Sequence, residues 1–412
     1  MAGEGRNKKE TMNRSERSLF NARWSEELFV SYRTRLEKDV GPIPFQLAET
    51  PFFISRELRE FLFTSATEIV AQLAEPGLLE TLRRAVPERF SVRGEPALPD
   101  CAQVDFAVVE GPDGKMEGRV VELQAFPSLY AMMTLMADAW ATELNAFPEL
   151  AGPWTAFNGK TREEALEQMR RVIVGDHDPR EVVLVDVIPE EQKTVPDFVT
   201  TTLFFGVEMC CITKLEREGR LLYRRDRNGE RVRVRRIYNR VVFDELEKKG
   251  ISSPFAWGDD LDVEWASHPN WYWIWSKYAL PYIQHRALPK ATFVSDLSEL
   301  PANLGDYVLK PLFSFAGAGV ILEPTAADLE AIPAAEKSGW ILQEKIAYAN
   351  AFVAADGLPV KAEVRVMLLR DAPGTLPTPL LCLVRLSRGK MLGVDFNKGF
   401  RFVGGSVGIW RD

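Results

Sequence analysis

Two short segments, QVDFAVVEG and RVVELQAFPSLY, place polar side chains inside apolar runs at Asp105, Glu122 and Gln124. Glu122 and Gln124 are two apart, so on a strand they face one side. Asp113-Gly114, lying between the two runs, reads as a hairpin turn that brings Asp105 beside them. Two carboxylates and an amide oxygen are hard ligands suited to Mg²⁺, which keeps some positions for water and phosphate oxygens. Two solvated hairpin faces would carry the same residues.

A second group surrounds Lys310 in YVLKPLFSFAGAGV. A strand delivers the lysine. A loop of small residues follows: Ser314, Ala316, Gly317, Ala318 and Gly319. Backbone N–H groups in such a loop can approach phosphate oxygens closely, and the lysine supplies a point charge. No G-K-[ST] opens a helix here, so this is not a Walker loop, and a Gly-rich hairpin turn explains the segment almost as well. Downstream, WILQEKI ends a strand with Gln343, Glu344 and Lys345. Read as an edge strand, it offers backbone groups to an adenine edge; read alone, it is an amphipathic strand end. Lys277 in WSKYALPYI would ordinarily be a lysine laid along an aromatic surface.

The elements that must position these residues follow from periodicity. Residues 1–18 read as a mobile leader, and 19–95 as helical, with Ser55 capping SRELREFLF. A strand hairpin and helices occupy 96–180. A second α/β stretch covers 181–268, with a hairpin at Asn228-Gly229. The last part, 269–412, opens with a helix from about Asn270 through NWYWIWSKYALPYIQHR and continues mainly as strands. Mixed runs of strands and helices imply an α+β or α/β architecture and not a simple doubly wound sheet.

Composition narrows the function classes. The chain has 412 residues, 46% hydrophobic and 27% charged, with a net charge of -8. That balance fits a globular protein and disfavours nucleic acid and anionic membrane as general partners. The arginine-rich 214–240 segment alternates with Val232, Val234 and Ile237, which favours a ribbon with one solvated face. Arg240 differs, because it follows the strand and could contact an anionic substrate. Four cysteines and three histidines give neither a disulfide framework nor a zinc site. With no secretory h-region and no apolar span of about 20 residues, the expected location is cytoplasmic.

Taken together, these segments resemble the circularly permuted ATP-grasp ligases, the family of the glutathionylspermidine synthetases. DFAVVEG…RVVELQAFPSLY resembles the family's D…E-x-N…P-[TS]-x-L-Y signature. Trp275-Ser276-Lys277 through Pro281 resembles S-N-K-x-x-L-P, VLKPLFSFAGAG resembles V-K-P-x-x-[GS]-R-x-G, and Gln343-Glu344 the Q-E hinge. The carboxylates precede the lysines, the order of the permuted family. The resemblance implies an ATP-grasp-like α+β fold, circularly permuted: two α+β lobes clasping ATP, with a pre-ATP-grasp subdomain at 181–268. It implies a carboxylate–amine ligase forming an acyl-phosphate, with small-molecule acid and amine substrates. Asp105, Glu122 and Gln124 would hold Mg²⁺. Lys277 and Lys310 would grip the ATP phosphates under the 314–319 loop. Gln343, Glu344, Lys345 and Ile346 would line the adenine pocket, and Arg385 would stabilise the acyl-phosphate, with Arg240 as a second catalytic candidate. Asp395 and Asn397 could face the site. Three departures stand out: Gln124 for Asn, Gln103 for an arginine two before the Asp, and Phe315 for a loop arginine. They favour the competing reading, a catalytically degraded nucleotide-binding regulatory or scaffold protein, whereas retention of both lysines and both carboxylates favours the enzyme.

Overall fold

The structure, a computed structural model, describes residues 15–313, 319–389, 397 and 399–411. Ser15, Ser25 and Ser55 begin the helices Glu16–Arg23, Glu26–Val40 and Arg56–Leu73, each hydroxyl accepting from a first-turn N–H. Each serine so satisfies a donor that the helix itself leaves orphaned. The first helix therefore starts inside the stretch expected to be a leader.

A seven-stranded sheet forms the centre of the described residues. Its order is Phe52–Phe53, Gly404–Ile409, Thr378–Ser387, Pro359–Leu369, Cys101–Glu110 and Met116–Gln124, with Phe352–Val353 paired to the 359–369 strand. Thus the hairpin and the last three long strands, far apart in sequence, share one sheet. Alternation gives the sheet two faces. Ala102, Val104, Phe106 and Val108, with Val364, Val366 and Val384, pack against Leu58, Leu62, Ala66 and Ile69 of Arg56–Leu73. On the opposite face, Cys101, Met367, Leu369, Leu381 and Leu383 join the core around Tyr130–Leu144. Each fully buried Leu, Val or Phe contributes about 1.5–3 kcal/mol. The same face, two or four residues further along each strand, carries Gln103, Asp105, Glu363, Arg365 and Arg385.

Two smaller sheets flank it. Glu264–Ala266, Arg236–Asn239, Val182–Asp186 and Glu208–Cys211 form a wholly parallel sheet in that order. Ala291–Phe293, Trp340–Glu344, Tyr307–Pro311 and Ile321–Leu322 form an antiparallel one. The arginine-rich ribbon lies in a three-stranded antiparallel sheet, Glu216–Glu218, Leu221–Arg225 and Arg231–Val234. Both expected hairpins form, with Gly114 at φ +79° and Gly229 at φ +80°, where a side chain would be strained.

The helix expected from Asn270 is broken. Only Trp271–Ile274 is α-helical, and a 3-10 turn spans Lys277–Tyr282. Ser276, extended between them, accepts from the Tyr278 N–H, and Pro281 denies the next turn a donor. The aromatic pattern indicated burial correctly, since Trp271 and Trp275 are fully enclosed.

Candidate functional site

Strand register builds the centre of the site. Across neighbouring strands Arg365 stands opposite Asp105, and Asp105 opposite Glu122. One step along, Met367 stands opposite Gln103 and Gln103 opposite Gln124. Asp105, Glu122 and Gln124 thus share a face, as their spacing requires. A bulge makes this possible: Glu122 pairs with Asp105 while Val120 pairs with Phe106, leaving Val121 unpaired.

Asp105 is held from two strands. Arg365 donates Nε to Oδ1 at 2.5 Å and Nη2 to Oδ2 at 2.6 Å, and Arg385 donates Nη1 to Oδ2 at 2.9 Å. Burial pushes this carboxyl up, but the two guanidinium groups outweigh burial and hold it down at about 2. Arg385 also donates to Glu363 Oε1 at 2.6 Å, while Tyr348 Oη donates to Glu363 Oε2 at 2.8 Å. Burial raises the Glu363 carboxyl, with Arg385 opposing it. The Arg385 guanidinium, despite burial, is held more firmly protonated by Asp105 and Glu363.

Lys277 and Lys310 reach this centre from separate elements. Both are buried, and Glu122 acts electrostatically on both. Lys310 Nζ donates to Val121 O at 2.9 Å, the carbonyl of the bulge residue, and to Gln343 Oε1 at 2.6 Å. Burial depresses Lys310 to about 8, with Lys277 adding to the effect and Glu122 opposing it. Lys277 is lowered too, again by burial first. Asp244, which accepts from Tyr272 Oη at 2.9 Å, lies on the Lys277 side.

The 343–346 segment differs from the edge strand expected. Trp340–Glu344 is interior to its sheet, between Ala291–Phe293 and Tyr307–Pro311. The Glu344 N–H donates to Lys290 O, and the Lys345 N–H to Asp306 O. Lys345 Nζ donates to Gly305 O at 2.7 Å and pairs with Glu323 at 2.9 Å. Those backbone donors are committed, so only Gln343, through Lys310, joins the centre; Ile346 follows the strand, half-buried. Gly319 adopts φ +74° against Pro311. Ser314, Phe315, Ala316, Gly317, Ala318 and Asp395 lie outside the described residues. Asn397 Oδ1 accepts from Ser387 Oγ at 2.9 Å and from the Arg388 N–H at 3.0 Å, a bracing role.

Arg240 belongs to a different constellation. It follows the Arg236–Asn239 strand, which lies beside Val182–Asp186 at the point where the order of strand addition reverses, Glu208–Cys211 having been added on the other side. Such switch points leave a crevice at the strands' carboxyl ends. The side chain is buried, sits over Phe126 at 5.1 Å and Phe198 at 5.2 Å, and its Nε and Nη1 have no hydrogen-bond partner. Asp186 is pushed up to about 7 by burial, with Arg240 opposing.

Two of the three residues expected to hold Mg²⁺, Asp105 and Gln124, are hydrogen-bonded to other side chains in this arrangement. Both Asp105 oxygens are engaged by arginine. Gln124 donates Nε2 to Gln103 Oε1 at 2.6 Å, and Gln103 in turn donates to Ser128 O at 2.9 Å. Two of the three departures from the family pattern are therefore hydrogen-bonded to each other. Among the described residues no group of three or more His, Cys, Asp or Glu has metal-holding geometry. Sequence reasoning missed Glu363, Arg365 and Tyr348. The signal was present for the first two: charged residues two apart in the apolar strand KAEVRVMLL, the pattern that singled out Glu122 and Gln124.

No family model matches the chain, and no curated protein matches it. Among solved structures it is similar to a glutathione synthetase-like effector from Globodera pallida in apo form. The TM-score is 0.55 at 12% identity, over 88% of this chain and 94% of that one. The likeness concerns the fold: a mixed α+β architecture with several sheets, similar to a glutathione synthetase-like structure. No helix among the described residues is long and apolar enough to cross a membrane.

Proposed function

We propose that the chain is an ATP-dependent carboxylate–amine ligase of the circularly permuted ATP-grasp kind, forming an amide through an acyl-phosphate. One observation carries this reading: Lys277 and Lys310, buried on separate elements, both lie within electrostatic reach of Glu122, and Lys310 Nζ donates to the carbonyl of the neighbouring Val121. ATP would bring the phosphoryl group and the driving force. The two desolvated lysines neutralise phosphate oxygens, where a charge is worth more than in water. Arg385 presents its guanidinium to charge developing on the transferred group. Arg240, whose buried donors are unspent, receives an anionic part of the acid or amine substrate. The test is ADP release from purified protein with ATP and panels of carboxylic acids and amines. The expected result is release dependent on both co-substrates and lost in Arg385→Lys, since lysine lacks the planar fork.

The closure of Asp105 by Arg365 and Arg385 favours a second reading, a nucleotide-binding regulatory or scaffold protein with degraded catalysis. The fold neighbour's description as an effector is compatible with it. ATP binding without turnover across those panels would support this second reading.

A further inference from the structure

We propose that the Arg365 guanidinium takes the place of a divalent cation here, so that a nucleoside polyphosphate binds with no metal ion. The inference rests on the nucleotide-site reading above, which the ligase and the binding protein share. The strand of Arg365 lies between those of Arg385 and Asp105: Arg365 stands opposite Asp105, with Glu122 beyond it, and Arg385 stands opposite Glu363, two residues along. Its Nε and Nη2 grip both oxygens of Asp105, and its Nη2 lies 3.7 Å from Glu122 Oε1. A planar cation therefore lies between the two carboxylates that the hairpin turns toward one another. The Arg365 side chain is only 6% exposed and that of Asp105 2% exposed, so the pair is shielded from water.

Charge balance points the same way. Asp105, Glu122 and Glu363 face Arg365, Arg385, Lys277 and Lys310, and Asp244 lies behind Lys277. The carboxylates are already matched by fixed cations before any ligand arrives. A divalent ion entering beside Asp105 would have to displace a bidentate, charge-assisted pair, among the strongest a protein makes. It would also have to settle next to buried positive charge. A phosphate chain is drawn instead to the two buried lysines, Lys277 and Lys310, which lie beside the Arg365–Asp105 pair.

The experiment is calorimetric titration of the full chain with ATP, once in EDTA and once in excess MgCl₂. The expected dissociation constants agree within about threefold, whereas a metal-bridged site would lose about tenfold or more on chelation. Arg365→Met should reverse this: about tenfold weaker binding in EDTA, recovered by magnesium as Asp105 and Glu122 become free to hold the ion. Wild-type protein titrated with Mn²⁺ alone, followed by electron paramagnetic resonance, needs no variant and should show no stoichiometric site. A stoichiometric Mn²⁺ site, or ATP binding only in magnesium, overturns the proposal and leaves the nucleotide reading standing. No ATP binding under either condition overturns both.

Discussion

Arg365 and Arg240 are both buried arginines within reach of two carboxylates, and they are satisfied in opposite ways. Arg365 spends its fork on Asp105, and the pair holds that carboxyl down at about 2. Near Arg240, the carboxylates turn to backbone donors instead. Asp186 accepts from the Val187 N–H at 2.7 Å, and Asp197 from the Leu129 and Met132 N–H groups at 3.0 and 3.1 Å. Arg240 is left over aromatic rings with two nitrogens unpartnered. The difference is geometric. Arg365 lies mid-strand, locked opposite Asp105 by the ladder; Arg240 lies past a strand end, where no register fixes a partner. One region is electrostatically closed until a ligand competes; the other keeps donors in hand for one.

The contrast is broken most directly at Asp105. Asp105→Asn leaves Arg365 buried without its counter-charge and should cost about 3–5 kcal/mol of stability, read from urea unfolding. A loss below about 1 kcal/mol would show that the network is not closed in the sense argued.

Next in size is the phosphate side. Lys310→Ala should weaken ATP binding by about 1.5–3 kcal/mol, roughly tenfold or more, measured by calorimetry. Unchanged affinity would remove Lys310 from the phosphates.

The same lysine gives a pH signature. Burial lowers Lys310 from 10.5 to about 8, and the protonated form is the one that binds an anion. Charge is therefore present below about 8 and lost as pH rises through it. ATP affinity should fall by about tenfold, near 1.4 kcal/mol, between pH 7 and pH 9, provided one group dominates. A flat profile would argue that Arg365 and Arg385 alone carry the phosphates.

The smallest effect sharpens the Arg240 side. Arg240→Met removes a guanidinium that makes few hydrogen bonds, so stability should change by less than about 1 kcal/mol while substrate-dependent turnover falls. Because Arg240 opposes the burial that raises Asp186 to about 7, the variant should move that carboxyl higher still. Carbon-13 shifts of labelled aspartate would follow it; a downward move contradicts the placement.

Local chemistry made much of this legible in the sequence. Glu122 and Gln124 share a face because strand side chains alternate, whatever the strand pairs with. Asp113-Gly114 and Asn228-Gly229 turn because glycine alone tolerates φ near +80° cheaply. Ser55 caps its helix through an oxygen three residues from the donor it serves. The aromatic run at 271–275 announced burial, though not the break at Ser276 that sets the direction of Lys277. What tertiary structure alone decided were pairings across hundreds of residues. Arg365 meets Asp105 only because the 359–369 strand inserts beside 101–110 in one register; a slip of one residue would turn it to the opposite face. Strand 340–344, which its sequence allows to be an edge, is interior because 291–293 pairs on one side of it and 307–311 on the other. Lys310 finds the Val121 carbonyl because a bulge withholds that group from the ladder. Sequence specifies which side chains alternate, cap and turn, since those depend on neighbours a few bonds away. Which charge lies against which is set by sheet order and register, and these are fixed by burying both faces of the central sheet at once.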